Sequence, residues 1–252
     1  VRAVVITATF HEDAFRDKVA LVTGGTSGIG AAIGNALAEL GASVTVTGAT
    51  AAEAEEARSR ESFWVERAIV LDVRDRTAIA ACFAALLRLD ILINCVGIIR
   101  RGEEQDPEVF AQVIDVNLNG TQRLCVAARP LLAQSKGCIV NTASMLSFFG
   151  GALAPGYSAS KGGVAQLTKS LALAYAAEGI RVNAVAPGWI ATPLTQALRD
   201  DPARNAAIVA RTPLGRWGAP DDIAGAALFL CSPAAAFVTG TILAVDGGYM
   251  AG

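Results

Sequence analysis

Histidine is nearly absent from this 252-residue chain, with His11 the single one. A Ser-His-Asp triad would have to be built on that residue, and a multi-histidine metal site has nothing to draw on. The five cysteines are odd in number and scattered without a close pair. That argues against a disulfide framework and against a Cys-rich zinc site, so no metal is expected. Charge is sparse and nearly balanced, at 17% of residues and a net −2. No basic field exists to hold a phosphate backbone, which excludes nucleic acid as a main partner. Tyrosines number three and lysines are few, so each one that falls in a motif carries weight. What the chain has in plenty is apolar residue, 53% hydrophobic with a mean hydropathy of +0.44. That surplus rules out disorder and suffices for a large core.

Such hydropathy calls for a membrane test. The run from 223 to 243 carries no charge but is broken by Cys231-Ser232-Pro233 and again by Thr239-Gly240-Thr241. A spanning helix needs about 20 unbroken apolar residues. The run is read instead as a helix, a turn and a strand, and no membrane partner is expected. The first apolar stretch is short and runs into His11, Glu12 and Asp13 without a small-residue cleavage site, so it is not read as a signal peptide. With unpaired cysteines, this points to a cytoplasmic protein.

Short β-branched runs alternate with Ala/Leu-rich stretches. Strands are expected at 18–23, 43–47, 68–71, 90–94, 138–142, 181–186 and 242–245. Helices are expected from the glycines to residue 40, at 51–60 and 76–87, in a long stretch from Pro107, at 157–177 and at 221–231. This rhythm predicts an α/β fold, a Rossmann-type doubly wound parallel sheet of about seven strands. The apolar runs are continuous, as strands buried on both faces require. No linker divides the chain, so 1–252 reads as one domain. Residues 188–212 break the rhythm and read as a substrate loop or lid.

Thr23-Gly24-Gly25-Thr26-Ser27-Gly28-Ile29-Gly30 follows the first strand and opens a helix. Glycines there permit a tight turn and close backbone approach to a pyrophosphate, and the helix start offers free N–H groups. The second strand ends in Thr47-Gly48-Ala49-Thr50, with neither the acid that binds ribose hydroxyls nor an arginine for a 2′-phosphate. The cofactor is therefore NAD or NADP with a slight lean to NAD, which Arg58 or Arg60 would overturn by reaching in. Asp72, ending the third strand, is either an adenine acceptor or a turn aspartate.

Tyr157 and Lys161 stand four residues apart at the start of a helix and so share a face. A nearby ammonium lowers a phenol's pKa and suits it to proton transfer at neutral pH. Ser144, just past the fifth strand, lies where open α/β sheets bind ligands, or is a simple turn serine. Asn117 sits inside a long helix for which asparagine is poorly suited; a kink, a water site and a satisfied amide all remain open.

Taken together in this order, the residues resemble the single-domain short-chain dehydrogenase/reductases. The matches are TGxxxGIG at 23–30, Asn117, Ser144, Tyr157 with Lys161, and Pro187-Gly188 followed by Thr192. The resemblance implies Tyr157 as general acid/base and Lys161 as the group that lowers its pKa and holds the nicotinamide ribose. It implies Ser144 as the orienter of the substrate oxygen and Asn117 as the holder of a relay water. It places the cofactor against Gly24, Thr26, Ser27, Gly28, Ile29 and Gly30, then Asp72, Val73, Asn94 and Gly97, then Tyr157, Lys161, Pro187, Gly188 and Thr192. It also implies a homotetramer with the long helices at one interface. One departure is Asn94-Cys95-Val96-Gly97 where the family has Asn-Asn-Ala-Gly. Cys95 cannot make an amide's hydrogen bonds.

A narrower likeness is to the deoxygluconate and gluconate dehydrogenase group. It rests on the segments 97–101, 143–148, 215–218 and 244–248. The expected reaction is hydride transfer between nicotinamide and a secondary alcohol or ketone, of a sugar acid or polyol. Arg100 and Arg101 are either a fork for a substrate carboxylate or a solvated loop pair. Met145, Phe149 and Trp189, with Phe148, are expected to wall the substrate. A 3-oxoacyl thioester reductase would use the same catalytic residues. A non-catalytic nucleotide-binding redox sensor would not need them. Nucleotide-sugar epimerases have longer chains and different glycine spacing.

Overall fold

The computed structural model describes residues 9–60 and 65–252. The N-terminal stretch read for a signal peptide begins outside them. Seven strands form one parallel sheet: β1 (Val19–Thr23), β2 (Ser43–Gly48), β3 (Arg67–Val70), β4 (Ile91–Asn94), β5 (Cys138–Thr142), β6 (Arg181–Pro187) and β7 (Ile242–Val245). Their order is β3-β2-β1-β4-β5-β6-β7. The chain moves outward from β1 to β3, then returns to pair β4 on the other side of β1. That reversal opens a crevice at the carboxyl ends of β1 and β4.

Successive strand side chains face opposite ways, so each continuous apolar run supplies two cores. Val22 pairs with Val46 and Ile93, and Ile93 with Val140. All four lie in one core with α1 (Gly28–Glu39) and α9 (Pro220–Cys231). Leu21, Leu92, Ile139 and Val182 are register neighbours one step along. They lie in the second core, with α3 (Arg76–Ala84), α5 (Gly120–Ser135) and α6 (Pro155–Tyr175). The uncharged run near the C-terminus resolves into α9, a single 3₁₀ turn and β7. No helix among the described residues is long and apolar enough to cross a membrane.

The helix expected from Pro107 is interrupted. Asp106 caps α4 (Pro107–Ile114), accepting from the Glu108 and Val109 amides. A π-turn then spans Asp115–Asn119 before α5 begins. The helix expected at 51–60 ends earlier, as α2 (Ala51–Arg58), and the one expected at 76–87 ends at Ala84. The helix expected from Tyr157 starts two residues sooner, at Pro155, where proline's missing N–H costs nothing. The segment expected as a lid is not irregular throughout, since it carries α7 (Gln196–Arg199) and α8 (Pro202–Arg211).

Candidate active site

A cavity of about 940 Å³ opens over the carboxyl ends of the strands, at the upper end of the usual range for ligand sites. One end is the glycine loop. Gly24 has φ +65°, and a Cβ there would stand 2.8 Å from the Val96 nitrogen. A Cβ on Gly30 would stand 2.2 Å from the Gly24 carbonyl oxygen. Backbone therefore packs where side chains would stand. Ser27 caps α1 without a side-chain hydrogen bond, leaving the first amides of α1 to a ligand. Thr26, Ser27, Gly28 and Ile29 line this end, and Asp72, Val73, Gly97, Pro187, Gly188 and Thr192 line the same cavity. These features fit a dinucleotide.

Two expected site residues do not reach the cavity. Asn94 is 2% exposed, and its Nδ2 donates to Asn141 Oδ1 at 2.9 Å while its Oδ1 accepts from Thr23. It belongs to a buried polar chain across β1, β4 and β5 that ends on Thr168 of α6. Asn117 is fully buried in the π-turn. Its Oδ1 accepts from the Ile98 amide at 2.8 Å, and its Nδ2 donates to the Ile98 carbonyl at 2.9 Å and to Ser160 Oγ at 3.0 Å. The kink and the satisfied amide are both observed, since the π-turn interrupts the helix at this residue and its side chain is bonded on both atoms. The amide straps the loop after β4 to α6.

Ser144, Tyr157 and Lys161 do come together on the cavity wall. The Ser144 hydroxyl accepts from the Leu146 amide at 3.1 Å and acts on the Tyr157 phenol. Burial pushes the phenol above its ordinary pKa; Ser144 and the charge of Arg101 pull against it, and Glu104 adds to the rise. The expectation that Lys161 lowers this pKa is not met here. Lys161 Nζ lies 5.6 Å from the ring centroid and donates to the Thr142 carbonyl at 2.7 Å. Burial draws the ammonium itself down to about 8. The departure at Cys95 is accommodated, because its Sγ lies 3.2 Å from Thr142 Oγ1 and burial pushes the thiol up to about 11.

Met145, Phe149 and Trp189 line the substrate end. Phe148 does not; it is 56% exposed, because the 3₁₀ turn after Ser144 points it outward. Trp189 packs edge-on against Trp217 and Tyr249, and Arg211 stacks 4.3 Å over Tyr249. Arg100 and Arg101 both reach the cavity, but differently. Arg100 is exposed, whereas burial lowers the pKa of Arg101, with the charge of Arg204 acting in the same direction. Arg204, on α8, lines the same cavity.

Two residues here, Glu53 and Glu104, gave no sequence signal, whereas Arg60 and Asp72 did. Glu53, on the first turn of α2, lines the cavity and accepts from the Ala49 amide at 2.8 Å. It places an acid at the end of β2 after all. Arg60 reaches back to the Thr26 carbonyl at 2.8 Å, placing a cation at the glycine loop. Asp72 is gripped by Arg74, at 3.0 Å and 2.7 Å, and that hydrogen bond lowers its pKa. Glu104 is buried beside Tyr157.

The chain was then compared with known proteins. A family model described as enoyl-(acyl carrier protein) reductase matches residues 24–250. A 2-dehydro-3-deoxy-D-gluconate 5-dehydrogenase of Bacillus subtilis (strain 168) is 46% identical over 250 residues, 96% of this chain and 98% of that one. A galactitol 2-dehydrogenase (L-tagatose-forming) of Cereibacter sphaeroides is 43% identical over 91% of this chain and 94% of its own length. The solved structure of a gluconate 5-dehydrogenase from Burkholderia cenocepacia J2315, in complex with NADP and tartrate, superposes with a TM-score of 0.87 at 35% identity. That match covers 95% of this chain and 98% of the other. With NADP in that structure and Arg60 at the glycine loop, the lean to NAD has no support.

Proposed function

The chain belongs to the short-chain dehydrogenase/reductase family and is an NAD(P)-dependent oxidoreductase, and from that premise we propose that it acts on the secondary hydroxyl of a sugar acid of the gluconate or deoxygluconate type. The observation that carries this reading is the meeting of Ser144, Tyr157 and Lys161 on one cavity with the glycine loop. We take the whole chain as one catalytic domain, with 188–212 as its substrate lid.

The glycine loop and the open amides of α1 would take the pyrophosphate, and Lys161 the nicotinamide ribose. When bound, NAD(P) supplies the hydride acceptor or donor. The protein manages the proton. In oxidation the substrate hydroxyl gives its proton to Tyr157 Oη; in reduction the phenol returns it to the carbonyl oxygen. Ser144 Oγ, on the same cavity wall, orients the same substrate oxygen. Asn117 acts behind this row as a positioning residue, holding Ile98 and α6 in register. The charged end of the substrate meets Arg101 from the loop after β4 and Arg204 from α8. A half-buried guanidinium without a carboxylate partner is a ready acceptor for an acid. The tartrate of the Burkholderia relative is a hydroxy acid of that kind.

Cofactor choice turns on Glu53 against Arg60, the first disfavouring and the second favouring a 2′-phosphate. The free thiols, Cys82, Cys95, Cys125, Cys138 and Cys231, support a reducing compartment, and we place the enzyme in the cytoplasm. Exposed Val126 on α5 and Leu173 on α6 support a homotetramer with the long helices at one interface.

The test follows reduced-nicotinamide absorbance with NAD and NADP in parallel. The panel is gluconate, a deoxygluconate-type acid, galactitol and a 3-oxoacyl thioester. Turnover of an acid above galactitol is expected. Turnover of the thioester alone would overturn the substrate assignment. Tyr157→Phe should lose at least about 100-fold in turnover while still binding cofactor.

A further inference from the structure

Glu104 is 1% exposed, although its neighbours Gly102, Glu103, Gln105 and Asp106 all face solvent. Carboxylates are seldom buried without a cation, yet none of the ion pairs among the described residues includes this one. Two backbone amides stand in for the cation. Arg100 N–H donates to Oε1 and Tyr157 N–H to Oε2, each at 2.7 Å. The second donor explains the arrangement. Tyr157 lies in the first turn of α6, where amides lack intrahelical partners, and Ala154 at the N-cap position has no side chain to offer. The cap comes instead from the loop after β4, as a full negative charge at the positive end of a 21-residue helix. Gly156 keeps the path open, since a Cβ there would press to 3.2 Å on Oε2.

We propose that Glu104 is a positioning residue for the proton transfer: one buried carboxylate ties the main chain of Tyr157 to that of Arg100 and sets its charge against that of Arg101 at the phenol. The proposal rests on the reading of Tyr157 as the proton-transfer group. The groups facing that phenol come from three elements. Ser144 acts on it from the turn after β5, Arg101 and Glu104 from the loop after β4, and Lys161 lies one turn further along α6. Arg204, on α8, acts on Arg101. Arg101 favours the phenolate and Glu104 opposes it. Neutralising Glu104 leaves Arg101 unopposed, so the phenol must ionise at lower pH.

The variant Glu104→Gln removes the charge and keeps one acceptor. The first readout needs no substrate. Phenolate absorbance is titrated in the full-length protein, and the same titration of Tyr157→Phe in each background is subtracted to cancel the other tyrosines. The midpoint of Tyr157 should fall by about 0.5 to 1 pH unit in Glu104→Gln. The second readout is the pH profile of oxidation with whichever of gluconate and galactitol turns over. Its rising limb should move down by the same amount, with kcat reduced about 10-fold. An unmoved titration midpoint would overturn the charge role, and so would an equal move in Glu103→Gln. Glu104→Asp keeps the charge but shortens the reach. It should keep the midpoint and lose turnover, and wild-type turnover there would overturn the positioning role. If the titration shifts but neither substrate is oxidised, the coupling stands and the sugar-acid and polyol reading of the substrate fails.

Discussion

Arg101 and Arg204 both line the cavity, one from the loop after β4 and one from α8. A bidentate pair with a carboxylate draws its strength from being dry, and burial lowers the pKa of Arg101 in this way. Arg101→Ala should therefore raise KM for an acid substrate at least about 10-fold while changing KM for galactitol less than about 3-fold. Equal effects on both would discard the carboxylate contact. Glu53 and Arg60 set a second contrast. Glu53→Gln should raise kcat/KM for NADP relative to NAD by about 5-fold or more, and Arg60→Ala should lower it, because a 2′-phosphate is repelled by the one and drawn by the other. An unchanged ratio in both would place the selecting charge elsewhere. Ser144, Tyr157, Lys161 and the glycine loop were legible in the sequence because their spacing is local or their order distinctive. Glu53, Arg204 and Glu104 were not. Each joins the site through the fold alone, with partners such as Tyr157 standing 53 positions from Glu104.

At the scale of elements, the sequence carried the seven strands closely, since a strand buried on both faces must be apolar throughout. At Asn117 it left a kink open without fixing it, and the break falls there, at Asp115–Asn119. A π-turn here satisfies Asn117 through Ile98 and Ser160, and neither bond leaves a trace in helical periodicity. The start of β4 shows the same dependence on distant partners. Asp90 is 3% exposed and accepts from the Val19 amide at 3.0 Å and from Arg88 at 2.8 Å on each oxygen, with Lys18 at 3.6 Å. Burial works to raise its pKa, but the Arg88 and Val19 bonds and the neighbouring charges outweigh it and leave the pKa lowered. A carboxyl lowered in the folded state stabilises above the unfolded pKa, near 4, and that stabilisation is lost as pH falls through the folded value. Asp90→Asn should thus cost about 1–2 kcal/mol near neutral pH and less at about pH 3. Urea unfolding at the two pH values checks this; a constant difference would assign the cost to packing instead.

At the scale of the whole molecule, the two ends of the sheet set what the surface must do. β3 and β7 are edge strands, and unpaired edges invite association unless covered. Near β7 the surface is apolar, with Phe237 fully exposed and Phe229 partly so. A separate face carries Val126 on α5 and Leu173 on α6, the latter 83% exposed. Two distinct apolar faces on one chain suit a dihedral tetramer, in which each face meets its own copy across a different two-fold axis. This sets a test that a nonspecific surface would fail. Leu173→Lys should break the helical interface and Phe237→Lys the edge interface. Each should leave a dimer of different composition, and the double variant a monomer, by light scattering after size exclusion. Neither Leu173 nor Phe237 lines the cavity, so each variant should leave KM within about 2-fold. A monomeric wild type would remove the tetramer and leave the exposed faces to another partner.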